Sequence, residues 1–147
     1  MPIEHVASAH AIQLAIAPVF LLTGIAALLG VMATRLARVI DRARWLEQGW
    51  IAFDAAARTG ARKELGVLEQ RRRVCSWSIN FCTVAALLIC IVIVALFMEE
   101  FFGRNLKWLA GGLFVVSMLG LILGLACFLR EVYLATHTTM IDPKRLA

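Results

Sequence analysis

The stretch AIQLAIAPVFLLTGIAALLGVMATRLARVIDRARWLE, Ala11–Glu47, changes character once, at Thr34. The 24 residues Ala11–Thr34 carry no charge, and then Arg35, Arg38, Asp41, Arg42 and Arg44 arrive within ten positions. A helix crossing the hydrocarbon core needs about 20 apolar residues at about 1.5 Å each. The first part is therefore long enough to span a bilayer. The second part divides on a helical wheel. Leu36, Val39, Ile40, Ala43 and Leu46 share an apolar arc of about 120°, and the charged residues fill the opposite arc. The helix is expected to leave the membrane and continue as an amphipathic arm.

Two further runs are free of charge, Val74–Met98 with 25 residues and Trp108–Leu129 with 22. The whole chain of 147 residues is 61% hydrophobic with a mean hydropathy of +0.82, well above the roughly 45–50% apolar content of soluble domains. The expected fold is an all-α membrane protein, a single membrane domain with spans at about 11–34, 74–98 and 108–129. The first span lacks a positive leader and is longer than a signal-peptide core, so it is expected to be retained.

The net charge of +5 raises nucleic acid as a partner, but the distribution points to membrane orientation instead. Residues 1–10 hold no Lys or Arg, 35–73 hold ten, 99–107 hold two and 130–147 hold three. Cytoplasmic loops carry the Lys/Arg excess. The N-terminus and 99–107 are therefore expected outside, and 35–73 and the C-terminus inside.

The segment 35–73 contains no proline, and Gly49, Gly60 and Gly66 are its only strong breakers. Ala61, Leu65, Leu68, Arg72 and Cys75 recur at spacings of 4, 3, 4 and 3, a heptad-like seam. The first two spans should thus extend into a cytoplasmic antiparallel helical hairpin that turns between Gly49 and Gly60. Trp50, Ile51 and Phe53 fall near the tip, where exposed aromatics would contact a partner and buried ones would pack the turn.

Within the spans, Pro18 is expected to kink the first helix by removing a backbone donor. Ala26 and Gly30, Gly120 and Gly124, and the set Cys82, Ala86 and Cys90 have the four-residue spacing that lets helix backbones approach closely. Asn80 is expected to hydrogen-bond to a neighbouring helix. Phe101, Phe102 and Trp108 mark a membrane–water interface, and the short connection 99–107 makes the second and third spans antiparallel neighbours.

No catalytic or metal-binding constellation is found. The four cysteines form no CxxC pair, His5 and His10 are not at helical ligand spacing, and GxSxG, HExxH and Walker-type loops are absent. No cofactor is implied. The notable charge concentration is where three helices meet the cytoplasmic membrane surface: Arg35, Arg38, Asp41 and Arg42 leaving span 1, Arg71, Arg72 and Arg73 entering span 2, and Arg130 and Glu131 leaving span 3. Asp41 and Glu131 are expected to face inward, with Arg72 on the seam, while Arg71 and Arg73 reach for lipid phosphates.

The strings AIAPVFLLTGIAALLGVMATRLARVIDRARWLE (Ala15–Glu47) and LFVVSMLGLILGLACFLREVYLAT (Leu113–Thr136) resemble the bacterial membrane-protein family called domain of unknown function 2721. The match is carried by Pro18, by RLARVIDRAR and by FLRE. The resemblance implies a small multi-span bacterial inner-membrane protein and no known activity, so it assigns no catalytic residue. Three readings follow: a non-enzymatic scaffold or interaction subunit presenting the hairpin, an oligomeric channel or transporter protomer, and a binder of anionic lipid or phosphate ligands. The partners expected are the bilayer, anionic lipids at its cytoplasmic face, and a second copy or another membrane protein.

Overall fold

The computed structural model describes the backbone of residues 2–102 and 107–138. Among them there is no strand. Helix α1 runs Pro2–Gln48, a single 3-10 turn covers Gly49–Ile51, α2 runs Ala55–Phe102 and α3 runs Lys107–Thr138. Each has a stretch long and apolar enough to cross a membrane. Expectations for residues 103–106 and 139–147, and for the side chains of His5, His10, Phe101, Phe102 and His137, lie outside what is described.

One rule sets the packing of all three helices. Among the described residues, the buried ones of α1 are Pro18, Ile25, Met32, Val39 and Leu46, each seven after the last. In α2 the same interval links Ala61, Leu68, Cys75, Cys82 and Ile89, and in α3 it links Ala110, Ser117, Gly124 and Glu131. A seven-residue repeat holds a seam against its neighbour where 3.6 residues per turn would drift away. The seams run unbroken from the charge-free stretches into the charged ones. α1 is continuous through Pro18, which is buried on that seam.

The core has three parts. Ile25 and Met32 of α1 meet Cys82 and Ile89 of α2, with Met118, Leu121 and Phe128 of α3 packed against them. Farther along α1, Val39 and Leu46 close on Ala61 and Leu68. At the opposite end, Val92 and Ala95 close on Ala110. α2 is thus the shared partner of α1 and α3, antiparallel to both.

The α2–α3 contact is close because the residues are small. A Cβ on Gly124 would lie 2.6 Å from Cys82 Sγ and 3.3 Å from the backbone N of Cys82 and O of Ser78. One on Gly120 would lie 3.6 Å from the nearest atom, Ala85 Cβ, which is ordinary contact. The Gly120–Gly124 spacing therefore packs within the chain. Ala26 and Gly30 are exposed, so their small-residue face meets neither neighbouring helix. Asn80 is also exposed, not bonded across a helix pair, because it lies two residues past the buried Ser78 and so about 200° round α2. Of Cys82, Ala86 and Cys90, only Cys82 is fully buried and Cys90 is exposed.

Outward faces of the charge-free stretches are apolar: Phe20, Leu87, Val94, Leu119, Ile122 and Leu129 are exposed. Only 11% of the most apolar window of α3 is buried inside the protein. So much apolar surface exceeds the patches a soluble monomer tolerates and suits contact with lipid.

The chain reverses between Gln48 and Ala55, at the early end of the interval expected from sequence. Asp54 starts α2 by accepting a hydrogen bond from the Ala57 backbone N–H at Oδ1 (2.8 Å), while its carbonyl accepts from Arg58 N–H (2.9 Å). That is an N-cap, which satisfies a donor at the helix start. Gly60 lies inside α2. Gly49 is needed for close approach, since a Cβ there would meet the Phe53 ring at 2.8 Å. Trp50 and Phe53 pack on the Val39–Leu46–Ala61–Leu68 cluster, whereas Ile51 is 90% exposed.

Candidate functional site: a buried carboxylate under an arginine cleft

The register that builds the site is set one heptad away from it. Ser78 Oγ donates to the carbonyl of Gly124 at 2.6 Å, where α2 and α3 approach most closely. In an antiparallel pair, seven residues back on α2 and seven forward on α3 cover the same distance, about 10.5 Å. Arg71 is therefore brought to Glu131. Met32 fixes α1 in the same layer. Its carbonyl accepts from Cys75 Sγ (3.6 Å) and its sulfur lies in contact with Ser78 Oγ (3.5 Å). Three residues on, Arg35 arrives beside the same carboxylate.

Glu131 is completely buried. Its Oε1 accepts from Arg71 Nη2 at 2.9 Å, and its Oε2 accepts from Arg35 Nη1 at 3.3 Å. One residue from each helix thus meets at a single point. Arg35 also lies over the Phe128 ring, 5.4 Å from its centroid, a cation–π contact. A buried carboxylate is costly unless it is paired and hydrogen-bonded, and this one is held by two charge-assisted bonds. The Nε of Arg71 is buried without an acceptor among the described residues.

Above this node a cleft of about 370 Å³ opens between α1 and α2, lined by Arg35, Arg38, Val39, Arg42, Glu64, Leu68 and Arg71. Arg42 and Glu64 form a two-bond pair across the arms, Nε to Oε1 at 2.7 Å and Nη2 to Oε2 at 3.3 Å. That pair keeps the Arg42 guanidinium above its usual pKa. Arg42 also stacks 4.5 Å from the Trp45 ring centroid. Arg38 is exposed and makes no ion pair among the described residues.

The expected network is therefore redrawn. Arg35 and Glu131 meet, and Arg38 and Arg42 line the adjoining cleft. Asp41 is exposed, two residues past the buried Val39 and so turned away, with no ion pair to Arg38 or Arg44 among the described residues. Arg72 is exposed too and pairs along its own helix with Glu69 at 2.8 Å. This pairing lowers the Glu69 carboxyl below its usual pKa, chiefly through the Arg72 hydrogen bond. Arg73 reaches the same carboxylate at 3.5 Å. Arg130 is exposed beside Glu131.

The inward cation is Arg71, and the reason is the third helix. A two-helix hairpin buries positions 61, 65, 68 and 72. Once α3 packs beside α2, the inward face follows the half-buried Arg71 and the buried Cys75, Ser78, Cys82 and Ala85. Arg71 and Glu64 were the residues missed. Continuing the spacing Cys75, Ser78, Cys82 backwards by four would have reached Arg71.

Among the described residues, no three His, Cys, Asp or Glu side chains converge as metal ligands do. The four cysteines are free thiols. Searches of curated proteins and of solved structures return no match. The model of one family, described as "Protein of unknown function (DUF2721)", matches residues 15–141, and the chain belongs to that family.

Proposed function

We propose that the protein is a non-enzymatic scaffold or interaction subunit of a bacterial inner membrane, presenting a basic helical hairpin to the cytoplasm. The observation that carries this reading is the pair of arms beyond the charge-free stretches. They fill their own core with Val39, Leu46, Ala61 and Leu68, cross-link through Arg42 and Glu64, and cap their turn with Asp54. Helices held this firmly by their own contacts suit the display of a surface. Trp50 and Phe53 are used in packing the turn, so the residues left for a partner are Ile51, 90% exposed, and Trp45, 56% exposed.

Orientation follows from the charge count: the hairpin segment holds ten Lys and Arg, and residues 1–10 hold none. The channel alternative needs a polar stripe through the membrane. Thr23 and Thr83 instead return their hydroxyls to carbonyls four residues earlier on their own helices, and Ser117 bonds to the Phe114 carbonyl.

Two measurements test the reading. A single cysteine placed at Ile51 should be protected from impermeant thiol reagents in intact cells and react after permeabilisation; labelling from outside refutes the topology. Native mass spectrometry from mild detergent should show the protein with a second copy or a stoichiometric protein partner that Ile51→Ser releases. Ion conductance by reconstituted protein would instead establish the channel.

A further inference from the structure

We propose that the cleft between the arms is a binding site for a phosphate-bearing anion, with Arg38, which has no ion-pair partner among the described residues, as its cation and the Arg35–Glu131–Arg71 node as its floor. Charge is the first argument. Four arginines, Arg35, Arg38, Arg42 and Arg71, line the cleft with one carboxylate, Glu64. Glu131 beneath is shared by two of them. Four positive charges against two negative leave a local excess of two, and Arg38 has no internal ion-pair partner among the described residues. Guanidinium forks match phosphate oxygens in geometry as well as charge.

Preorganisation is the second argument. Glu131 holds Arg35 and Arg71, and Glu64 holds Arg42. An arriving anion therefore need not order those side chains itself. Arg71 also carries a buried Nε–H that no group accepts among the described residues. The cleft volume of about 370 Å³ falls within the range of small-ligand sites.

Position is the third argument, and it favours a lipid headgroup as the source of the phosphate. Arg35 directly follows one charge-free stretch, and Arg71 precedes another by three residues. The floor of the cleft thus lies where hydrocarbon gives way to headgroups. Arg38 and Arg42 stand one and two turns farther out. This site is distinct from a protein contact at the Ile51 tip, so either can fail without the other.

The test uses the full chain in mild detergent, with thermal midpoint and native mass spectrometry as readouts. Dioleoyl phosphatidic acid is the lipid probe and inorganic phosphate the soluble probe. Phosphatidic acid should raise the midpoint and remain bound. Arg38→Gln, at an exposed residue with no ion pair among the described residues, should need about tenfold more lipid for the same rise, the loss expected for a charge-assisted hydrogen bond. Arg44→Gln, exposed but outside the cleft, should behave as wild type. A rise with inorganic phosphate alone, with the same dependence on Arg38, would support the site and assign its ligand to a soluble phosphate compound. No response to either probe, or equal loss in Arg38→Gln and Arg44→Gln, would overturn the proposal, since non-specific attraction to a basic surface would not distinguish the two positions.

Discussion

The paired arms and the α2–α3 contact use the same seven-residue interval with opposite chemistry. In the arms the seam is Val39 and Leu46 against Ala61 and Leu68, flanked by Trp50 and Phe53. Between α2 and α3 it is Cys82, Ser78 and Ala85 against Gly124 and Gly120. Large apolar residues hold helices together where water surrounds them, because burying area there is favourable. In lipid that drive is absent between helices, and close backbone approach through small residues with cross-helix hydrogen bonds takes over. Ser78 Oγ on the Gly124 carbonyl is such a bond. Glu131 lies where the two regimes meet.

Substitutions can break this comparison at chosen points. The largest effect is expected at the junction. Glu131→Ala leaves Arg35 and Arg71 sharing a partly buried site without their anion, at a cost of about 3–5 kcal/mol. The thermal midpoint in detergent should fall sharply, and Glu131→Ala with Arg71→Met should recover part of the loss. If the single variant were as stable as wild type, the node would have no structural role.

The arms come next. Leu46, 3% exposed, should lose about 2–3 kcal/mol on truncation to Ala. Proteolysis should then begin in the 35–73 segment while the α2–α3 contact persists. Simultaneous loss of both regions would show that they fold as one unit.

In the membrane half, Gly124→Ala forces a Cβ against Cys82 and the α2 backbone, at about 1–3 kcal/mol. Gly120→Ala meets only ordinary contact and should be near neutral. Equal effects of the two would mean that Gly124 is not the point of closest approach. Asp54→Ala removes the α2 cap and should cost about 1 kcal/mol, read as faster amide exchange in the first turn of α2.

The smallest effect belongs to Glu69. Its folded pKa is depressed by Arg72, so its contribution exists above the unfolded pKa and disappears as pH falls through the folded one. The group is exposed, and surface pairs contribute little. Glu69→Gln should therefore leave the midpoint unchanged at neutral pH.

The amphipathic arm from Arg35 to Glu47 was legible because large apolar residues alternate with charges at helical spacing. Its predicted inward set, Leu36, Val39, Ile40, Ala43 and Leu46, contains both buried residues, Val39 and Leu46. The membrane seams were not legible in the same way. Inward Ala110, Ser117 and Gly124 are less hydrophobic than outward Leu119, Ile122 and Leu129. A search for an apolar stripe therefore finds the face turned to lipid. Asn80 was misplaced for this reason, since polarity alone does not say which way a residue points when both sides of the helix are apolar.

The sequence by itself determined three helices long and apolar enough to cross a membrane, and the points where charge begins, because those depend on composition and on the thickness of a bilayer. It also marked Arg35 as the end of one charge-free stretch and the Arg130–Glu131 pair as the end of another. Which arginine meets Glu131 was decided only by tertiary structure. Packing α3 against α2 at Gly124 turns the half-buried Arg71 toward Glu131 and leaves Arg72 exposed. A single residue step is about 100° on a helix, enough to exchange a cation facing Glu131 for one in solvent.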